Sequence, residues 1–223
     1  MKLDLARLKQ SMGELFFSAQ YQQEPIPLEG NIIKAESFRE YDVAPTPQPK
    51  DLFVISVDTA MKGDPHADYS VATVWMARGE HMYLLDLWRE RVSYPELKRA
   101  VLRLRERYPT AALVIENKGS GMSLVEDLRA LKVASIGFNP DGDKETRLAA
   151  VSVQFESGAV LFPKGAPWLD ALKAELLGFP NLKHDDQVDS VSQALLWIRR
   201  RRRNNVPMVL PFVAGRPRYV PGS

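Results

Sequence analysis

An apolar run that ends in a carboxylate, Leu52–Asp58, constrains the fold more than any other stretch of this chain. It reads LFVISVD, is rich in β-branched and aromatic residues, and follows a segment with three prolines over 42–50. This combination predicts a buried strand with a defined start. Burying a charge is costly unless something uses it. Asp58 therefore either turns the chain, as aspartate often does, or belongs to a functional site.

Two later acidic positions favour the functional interpretation. Glu116 ends a second apolar run, and the segment 184–189, HDDQVD, opens a predicted helix. Mg²⁺ and Mn²⁺ prefer oxygen ligands, so three separated acidic positions at the ends of core elements indicate a divalent-metal site. If the strands that end in Asp58 and Glu116 are adjacent and parallel, both acids emerge at the sheet edge where open α/β sheets bind ligands. The alternative is that the helix acids only complement the helix dipole.

The acidic cluster offers three candidate ligands. Asp185 and Asp189 are four residues apart and Asp186 and Asp189 are three apart, so either pair can share a helical face. Asp185 and Asp186 point about 100° apart on a helix, so one of them can bind a metal while the other caps the helix. Two ions about 4 Å apart could activate water and stabilise the leaving oxygen of a phosphodiester.

Composition narrows the class of protein. The chain has 223 residues, which suits one α/β domain with extensions, and it contains no cysteine. No apolar run approaches the roughly 20 residues needed to span a bilayer, and the N-terminus lacks a signal-peptide core, so we expect no membrane association. No P-loop, G-x-S-x-G elbow or H-E-x-x-H pattern occurs, which argues against an ATPase, a serine hydrolase and a zinc protease.

The order of predicted elements indicates a mixed sheet. Strands at 52–57, 70–76 and 82–88 are joined by short links and predict an antiparallel meander. Strands at 111–115 and 133–138 then alternate with helices at 95–107, 122–131 and 144–156, before an extended piece at 160–162 and helices at 167–177 and 186–201. We therefore expect a five-stranded mixed sheet flanked by helices. The predicted domains are an N-terminal helix and proline-rich arm over 1–50, with 30–38 as a strand or arm, a body over 51–203 and a tail over 204–223.

Further polar residues are candidates for supporting roles. Asp68 could support the site or cap a strand, His184 could orient a phosphate or move a proton, and Lys118 could contact a phosphate. Net charge is only +2, and five arginines stand together at 199–203. Such clusters either contact nucleic acid or complement a helix C-terminus. The candidates for contacts with a DNA backbone are Lys144, Arg147, Arg199, Arg200 and Arg201.

Four segments together resemble the C-terminal nuclease region of the large terminase subunit of tailed phages and prophages. They are FSAQYQQEP at 17–25, SVDTA at 56–60, IENKGSG at 115–121 and HDDQVD at 184–189, and the resemblance spans about residues 15–200. The resemblance implies an RNase H-like, retroviral-integrase-like fold. It also implies a nuclease that cuts concatemeric viral DNA with Mg²⁺ or Mn²⁺, and two bound ions are expected. By similarity, Asp58 is the first metal-binding acid, Glu116 the second, and the Asp185–Asp186 pair the third, with Asp186 favoured.

The chain departs from that family in one respect, because the packaging ATPase domain of the full protein has no counterpart here. We therefore expect an excised domain, a separately encoded nuclease or a prophage remnant. The resemblance implies double-stranded DNA as substrate, the terminase small subunit, portal and an ATPase domain as partners, and the cytoplasm of a bacterial host as location. Two alternatives are a Holliday-junction-type resolvase of the same superfold and a DNA-binding packaging scaffold that does not cut.

Overall fold

The computed structural model describes residues 31–60, 69–182 and 185–204. Within these ranges, seven strands form one sheet in the order β1-β7-β4-β3-β2-β5-β6. The strands are β1 (Arg39–Tyr41), β2 (Leu52–Asp58), β3 (Ser70–Arg78), β4 (His81–Glu90), β5 (Ala112–Glu116), β6 (Ile136–Phe138) and β7 (Val160–Pro163). The helices are α1 (Tyr94–Arg107), α2 (Ser120–Ala130), α3 (Lys144–Glu156), α4 (Leu169–Gly178) and α5 (Asp186–Asn204).

The predicted mixed sheet is confirmed, and it is larger than expected. Strands β2, β3 and β4 form the antiparallel meander, and β5 and β6 continue in parallel from β2. The expected count of five strands is corrected to seven in the described part of the chain, because β7 pairs in parallel with β4 and β1 pairs in parallel with β7. Both added strands have at most four residues, too few for a clear period-two pattern.

Several element boundaries differ from the sequence-based expectation. The segment 30–38, expected as a strand or arm, contains a 3₁₀ turn at Ala35–Ser37, and the strand follows it at β1. Strand β6 begins at Ile136 rather than at 133, after a turn in which Lys132 adopts a left-handed φ of 59°. The predicted helix within 1–30 lies outside the described residues. The domain boundaries stay a prediction.

The core has one layer on each face of the sheet. On one face, α3, α4 and α5 pack through residues such as Phe155, Leu172 and Leu195. On the other, α1 and α2 pack through residues such as Val101 and Leu124. The largely apolar interior of β2, in which Ser56 is the polar exception, follows from this arrangement, because a strand covered on both faces has no solvent side to keep polar.

Local signals in the sequence position the helix starts. In α1, the Glu96 carboxylate accepts a hydrogen bond from the Ser93 N–H at 2.9 Å, as a capping box does. In α3, the Asp143 side chain accepts one from the Thr146 N–H at 2.8 Å. Within the described ranges, no helix is both long and apolar enough to cross a membrane.

Candidate metal and nucleic-acid site

Asp58 and Glu116 end neighbouring parallel strands. Val57 pairs with Ile115 in the β2–β5 register, so the two acids are the next residues on adjacent strands. Parallel strands lie about 4.8 Å apart, which brings both side chains to one sheet edge. The two carboxyls share a hydrogen bond. The structure therefore places the two acids at the same edge, as their positions at the strand ends predict.

Two loops hold this edge in place. The Ser120 hydroxyl, at the start of α2, donates to the carbonyl of Ala60 at 2.5 Å and to the Thr59 hydroxyl at 2.9 Å, which ties the chain after β2 to the chain after β5. Gly121 is required at its position, because a Cβ there would collide with the carbonyl oxygen of Glu116. The GSG of the IENKGSG segment thus permits close approach of α2 to the end of β5.

Helix α5 supplies the remaining acids. Asp185 precedes the helix, Asp186 is its first residue and Asp189 lies one turn further. Together with Asp58 and Glu116 they line one cleft of about 190 Å³. Its other lining residues are Thr59, Ala60, Lys118, Gly119, Lys144 and Arg147.

Two cations bridge the acids of this cleft. The Lys144 ammonium donates to Asp185 Oδ1 and lies equally close, 2.7 Å, to Asp189 Oδ2. Arg147 donates to Glu116 Oε1 at 3.1 Å and to Asp189 Oδ1 at 2.8 Å, and its side chain is only 8% exposed. Both residues stand on α3, where sequence reasoning predicted contacts with DNA; the structure places them among the acids.

The electrostatics of the cleft follow from burial and from these pairs. Burial, together with the charges of Asp189 and Glu116, holds the pKa of the Asp58 carboxyl well above its usual range. Burial also raises the pKa of Asp189, although Lys144 and Arg147 oppose it. Burial disfavours the charge on Lys144, but hydrogen bonds to Asp185 and Asp189 prevail and raise its pKa. The cleft thus holds more acid than its cations neutralise.

A buried glutamate anchors the N-terminus of α5. Glu175 of α4 accepts hydrogen bonds from the backbone N–H groups of Gln187 at 2.6 Å and Val188 at 3.3 Å, and from the Gln187 side chain. Arg89 of β4 lies 3.5 Å from Glu175 Oε2 and 3.9 Å from Asp186 Oδ2. Burial raises the pKa of Glu175, and the Gln187 and Arg89 contacts oppose this. Glu175 and Arg89 therefore position Asp186.

A polar network fixes α5 against the sheet. The Ser56 hydroxyl donates to the Ser190 carbonyl at 2.8 Å, and the Ser190 hydroxyl donates to the Ser56 carbonyl at 2.9 Å. The Gln193 side chain donates to the Ser56 hydroxyl and to the Val57 carbonyl. Sequence reasoning missed these residues and Glu175. Serine and glutamine on the otherwise apolar inner side of α5 were the available signal.

The other predicted site residues fall in different places. Lys118 lines the cleft but is exposed, whereas Arg199 and Arg200 line a neighbouring groove and Arg201 lines neither. Asp68 and His184 lie outside the described residues.

The donor set fits a divalent ion in its chemistry. All the acids are oxygen donors, and a bound cation would favour ionisation of the buried Asp58 carboxyl, whose pKa is raised by burial and by neighbouring carboxylates. The arrangement is not a preformed ligand set, however. Among the described residues, no group of three acidic or histidine side chains is placed to hold one metal ion. Lys144 and Arg147 stand between the acids, so binding would require those two side chains to move.

Comparison with known proteins identifies a family that matches this chain and solved structures that share its fold. A family model for the terminase RNaseH-like domain matches residues 55–197. No curated protein matches the sequence.

Solved structures share the fold at low sequence identity. The large terminase nuclease from thermophilic phage G20c is 18% identical, with a TM-score of 0.55 over 71% of this chain and 93% of that one. The Thermus phage P74-26 large terminase nuclease domain is 16% identical, with a TM-score of 0.54 over 71% and 90%. The large terminase from another thermophilic bacteriophage is 14% identical, with a TM-score of 0.56 over 75% of this chain and 45% of that one. The family match covers well over half of the sequence, and the chain belongs to the terminase RNaseH-like domain family.

Proposed function

We propose that this chain is a metal-dependent endonuclease domain that cuts concatemeric viral DNA during genome packaging. The observation that carries the proposal is the convergence of Asp58 and Glu116 with the acids of α5 in one cleft. Family membership supports it, and so do structures of the G20c nuclease with bound magnesium, zinc and cobalt. Double-stranded DNA is the proposed substrate. The terminase small subunit, the portal and an ATPase domain are proposed partners on the basis of the family.

Asp58, Glu116 and Asp186 are the proposed ligands for two Mg²⁺ or Mn²⁺ ions, with Asp185 and Asp189 beside them. Bound ions would supply Lewis-acid chemistry, which lowers the pKa of water and stabilises a leaving phosphate oxygen. Glu175 and Arg89 hold Asp186 in place, as their contacts indicate. Lys144 and Arg147 are positioned to contact non-bridging phosphate oxygens once their carboxylate partners are otherwise engaged.

Cutting of supercoiled plasmid tests this proposal. The protein is incubated with plasmid in Mn²⁺, Mg²⁺ or EDTA, beside Asp58→Ala and a control, Asp170→Ala, whose carboxylate is exposed on α4. We expect metal-dependent nicking that Asp58→Ala reduces at least about 100-fold, because loss of a ligand typically costs several kcal/mol of transition-state stabilisation. Asp170→Ala should cut normally.

Two results would overturn the proposal. Full cutting by Asp58→Ala would remove Asp58 from the chemistry. No cutting by the folded wild-type protein in any metal would leave a DNA-binding scaffold, provided that DNA still binds. A four-way junction tested beside linear duplex separates the resolvase alternative, which predicts preferential cutting of the junction.

A further inference from the structure

A second depression lies behind the acidic cleft, between α3 and α5. It has a volume of about 600 Å³, and Arg147 lines both this depression and the cleft, so the two are adjacent. We call it the arginine groove. Its charged lining residues are Asp141, Arg147, Arg199, Arg200 and Arg203.

The structure sorts the arginines of α5 into two sets. Arg199, Arg200 and Arg203 line the groove together with Leu196, as the spacing of 3.6 residues per turn requires. Arg202 points elsewhere, since it donates to the carbonyls of Glu80 and His81 at the β3–β4 turn. If the arginines only complemented the dipole of the α5 C-terminus, they would not need to lie together on the face that lines the groove.

The groove arginines differ in how they are engaged. Arg199 donates to the carbonyl of Ala150 on α3 at 2.6 Å, which joins the two helices. Arg200 and Arg203 are exposed, and neither forms an ion pair within the described ranges. Arg147 is 7% exposed, and its Nε atom is buried and has no hydrogen-bond partner among the residues that the structure describes. Asp141, at the exposed rim, is the opposing charge.

We propose that the arginine groove binds the phosphodiester backbone of a DNA strand that leads away from the acidic cleft. The proposal rests on the proposed nuclease function, because it concerns the path of that substrate. Arg147 is already paired with Glu116 and Asp189, so Asp141 is the one carboxylate that faces the three α5 arginines in the groove lining. Phosphate is the ligand class that such an arginine excess favours. Arg147 connects the groove to the cleft, so one strand can run from one to the other.

The length of α5 sets the distance of the contact from the cleft. Asp189 and Arg200 are eleven residues apart on the helix, or about 16 Å at 1.5 Å per residue. One strand of a duplex advances about 3.4 Å along the axis per nucleotide, so the groove would hold a phosphate about five nucleotides from the cleft.

DNA affinity and its salt dependence test the groove. Binding of a short fluorescent duplex is measured by anisotropy in EDTA, which excludes cutting. The groove variant is Arg200→Gln/Arg203→Gln, and the matched control is Arg99→Gln/Arg103→Gln. The control pair is also exposed, and it lies on α1, across the sheet from α5. Both variants remove two charges.

The groove variant should bind about 10-fold more weakly near physiological salt, and the slope of log K against log salt should shrink by about two. The control should keep the wild-type slope. The proposal would be overturned if the groove variant bound DNA as tightly as wild type, or if both variants lost affinity equally. The groove would then have another occupant, such as residues 205–223. Thermal unfolding of both variants confirms that each is folded.

Plasmid nicking separates this proposal from the nuclease proposal. If the groove variant binds weakly but the wild-type protein never nicks DNA, the groove stands and the nuclease proposal fails. If the wild-type protein nicks and the groove variant binds normally, only the groove proposal fails. Where both hold, the groove variant should raise the KM for DNA and leave the rate at saturating DNA close to that of wild type.

Discussion

Lys144 and Arg147 supply most of the positive charge inside the acidic cleft. Between them they contact Glu116, Asp185 and Asp189. Asp58 has no ion pair among the described residues; its carboxyl is hydrogen-bonded to Glu116, and burial raises its pKa. Asp58 is therefore the acid whose ionisation depends most on an added cation.

Replacing Asp58 with Asn should stabilise the metal-free protein at high pH. A carboxyl whose pKa is raised in the folded state contributes stability below its unfolded pKa, and this stability is lost as pH rises through the folded pKa. Wild type in EDTA should therefore lose thermal stability through this group as the pH is raised from about 4 toward 8. Asp58→Asn lacks that loss, and should be more stable at pH 8 by about 1 kcal/mol, or about 2–4 °C in Tm.

Thermal unfolding across this pH range checks the expectation, with Asp170→Asn as the control for loss of an exposed carboxylate. Mn²⁺ should raise the Tm of wild type and of the control, but not that of Asp58→Asn. If the stability of Asp58→Asn fell with pH as steeply as that of wild type, the assignment of a raised pKa to Asp58 would be wrong.

Lys144→Gln should weaken the metal-free fold and strengthen metal binding. The ammonium bridges Asp185 and Asp189, so its removal leaves two neighbouring carboxylates that repel each other. The same change removes a cation that competes with a metal ion for those oxygens. Calorimetric titration with Mn²⁺ measures the affinity, and Lys98→Gln, which breaks an ion pair with Asp127 on the opposite face, is the control. Weaker Mn²⁺ binding by Lys144→Gln would show that the lysine supports the site instead.

At the scale of elements, the position of α5 decides where three of the acids lie. The reciprocal hydrogen bonds between Ser56 and Ser190 join the helix to β2, the strand that carries Asp58. Glu175 fixes the first turn from α4. Because both sets of contacts are buried and directional, the helix cannot slide along the sheet without leaving polar groups unpaired. They therefore hold Asp186 and Asp189 opposite the ends of β2 and β5.

Ser190→Ala should destabilise the protein by about 1–3 kcal/mol, because it leaves the Ser56 carbonyl and the Thr73 hydroxyl with fewer partners in the core. Ser192→Ala is the matched control, since within the described part of the chain that buried hydroxyl bonds only to the carbonyl of Asp189 on its own helix. Urea unfolding measures both variants. Equal effects of the two changes would show that the α5–β2 contact has no special role.

Across the whole molecule, the segment 31–41 belongs to the packed structure. Ile33 is only 1% exposed, and Tyr41 donates from its hydroxyl to the carbonyl of Leu84. Strand β1 pairs with β7 and closes one end of the sheet. These contacts join part of the predicted arm to the predicted body.

A protein that begins at residue 43 should therefore be less stable than one that begins at residue 31, by at least about 2 kcal/mol, since burial of Ile33 alone is of that size. Chemical denaturation of the two fragments tests this expectation. Equal stability would place the domain boundary near residue 51, as the proline-rich segment suggested.

The order of strands and helices, and the acids at the ends of β2 and β5, could be read from the sequence. Long apolar runs and helical periodicity are local properties, and residues at the carboxyl ends of adjacent parallel strands must emerge at one edge. The terminase resemblance is confirmed by the family match, and the mixed-sheet fold by the solved structures. The short edge strands carried too little pattern to be predicted, and their pairing arises from contacts far apart in sequence.

Only the tertiary structure decided which charges meet. Lys144 and Arg147 lie about forty residues before their partner Asp189, and Glu175 lies more than ten before the helix turn that it caps. Nothing local distinguishes these side chains from solvated ones, because electrostatic pairing depends on distance in space. The sequence by itself therefore determined the fold class and the candidate acids. Packing of α3, α4 and α5 on the sheet determined their neighbours, their pKa shifts and the arginine groove beside them.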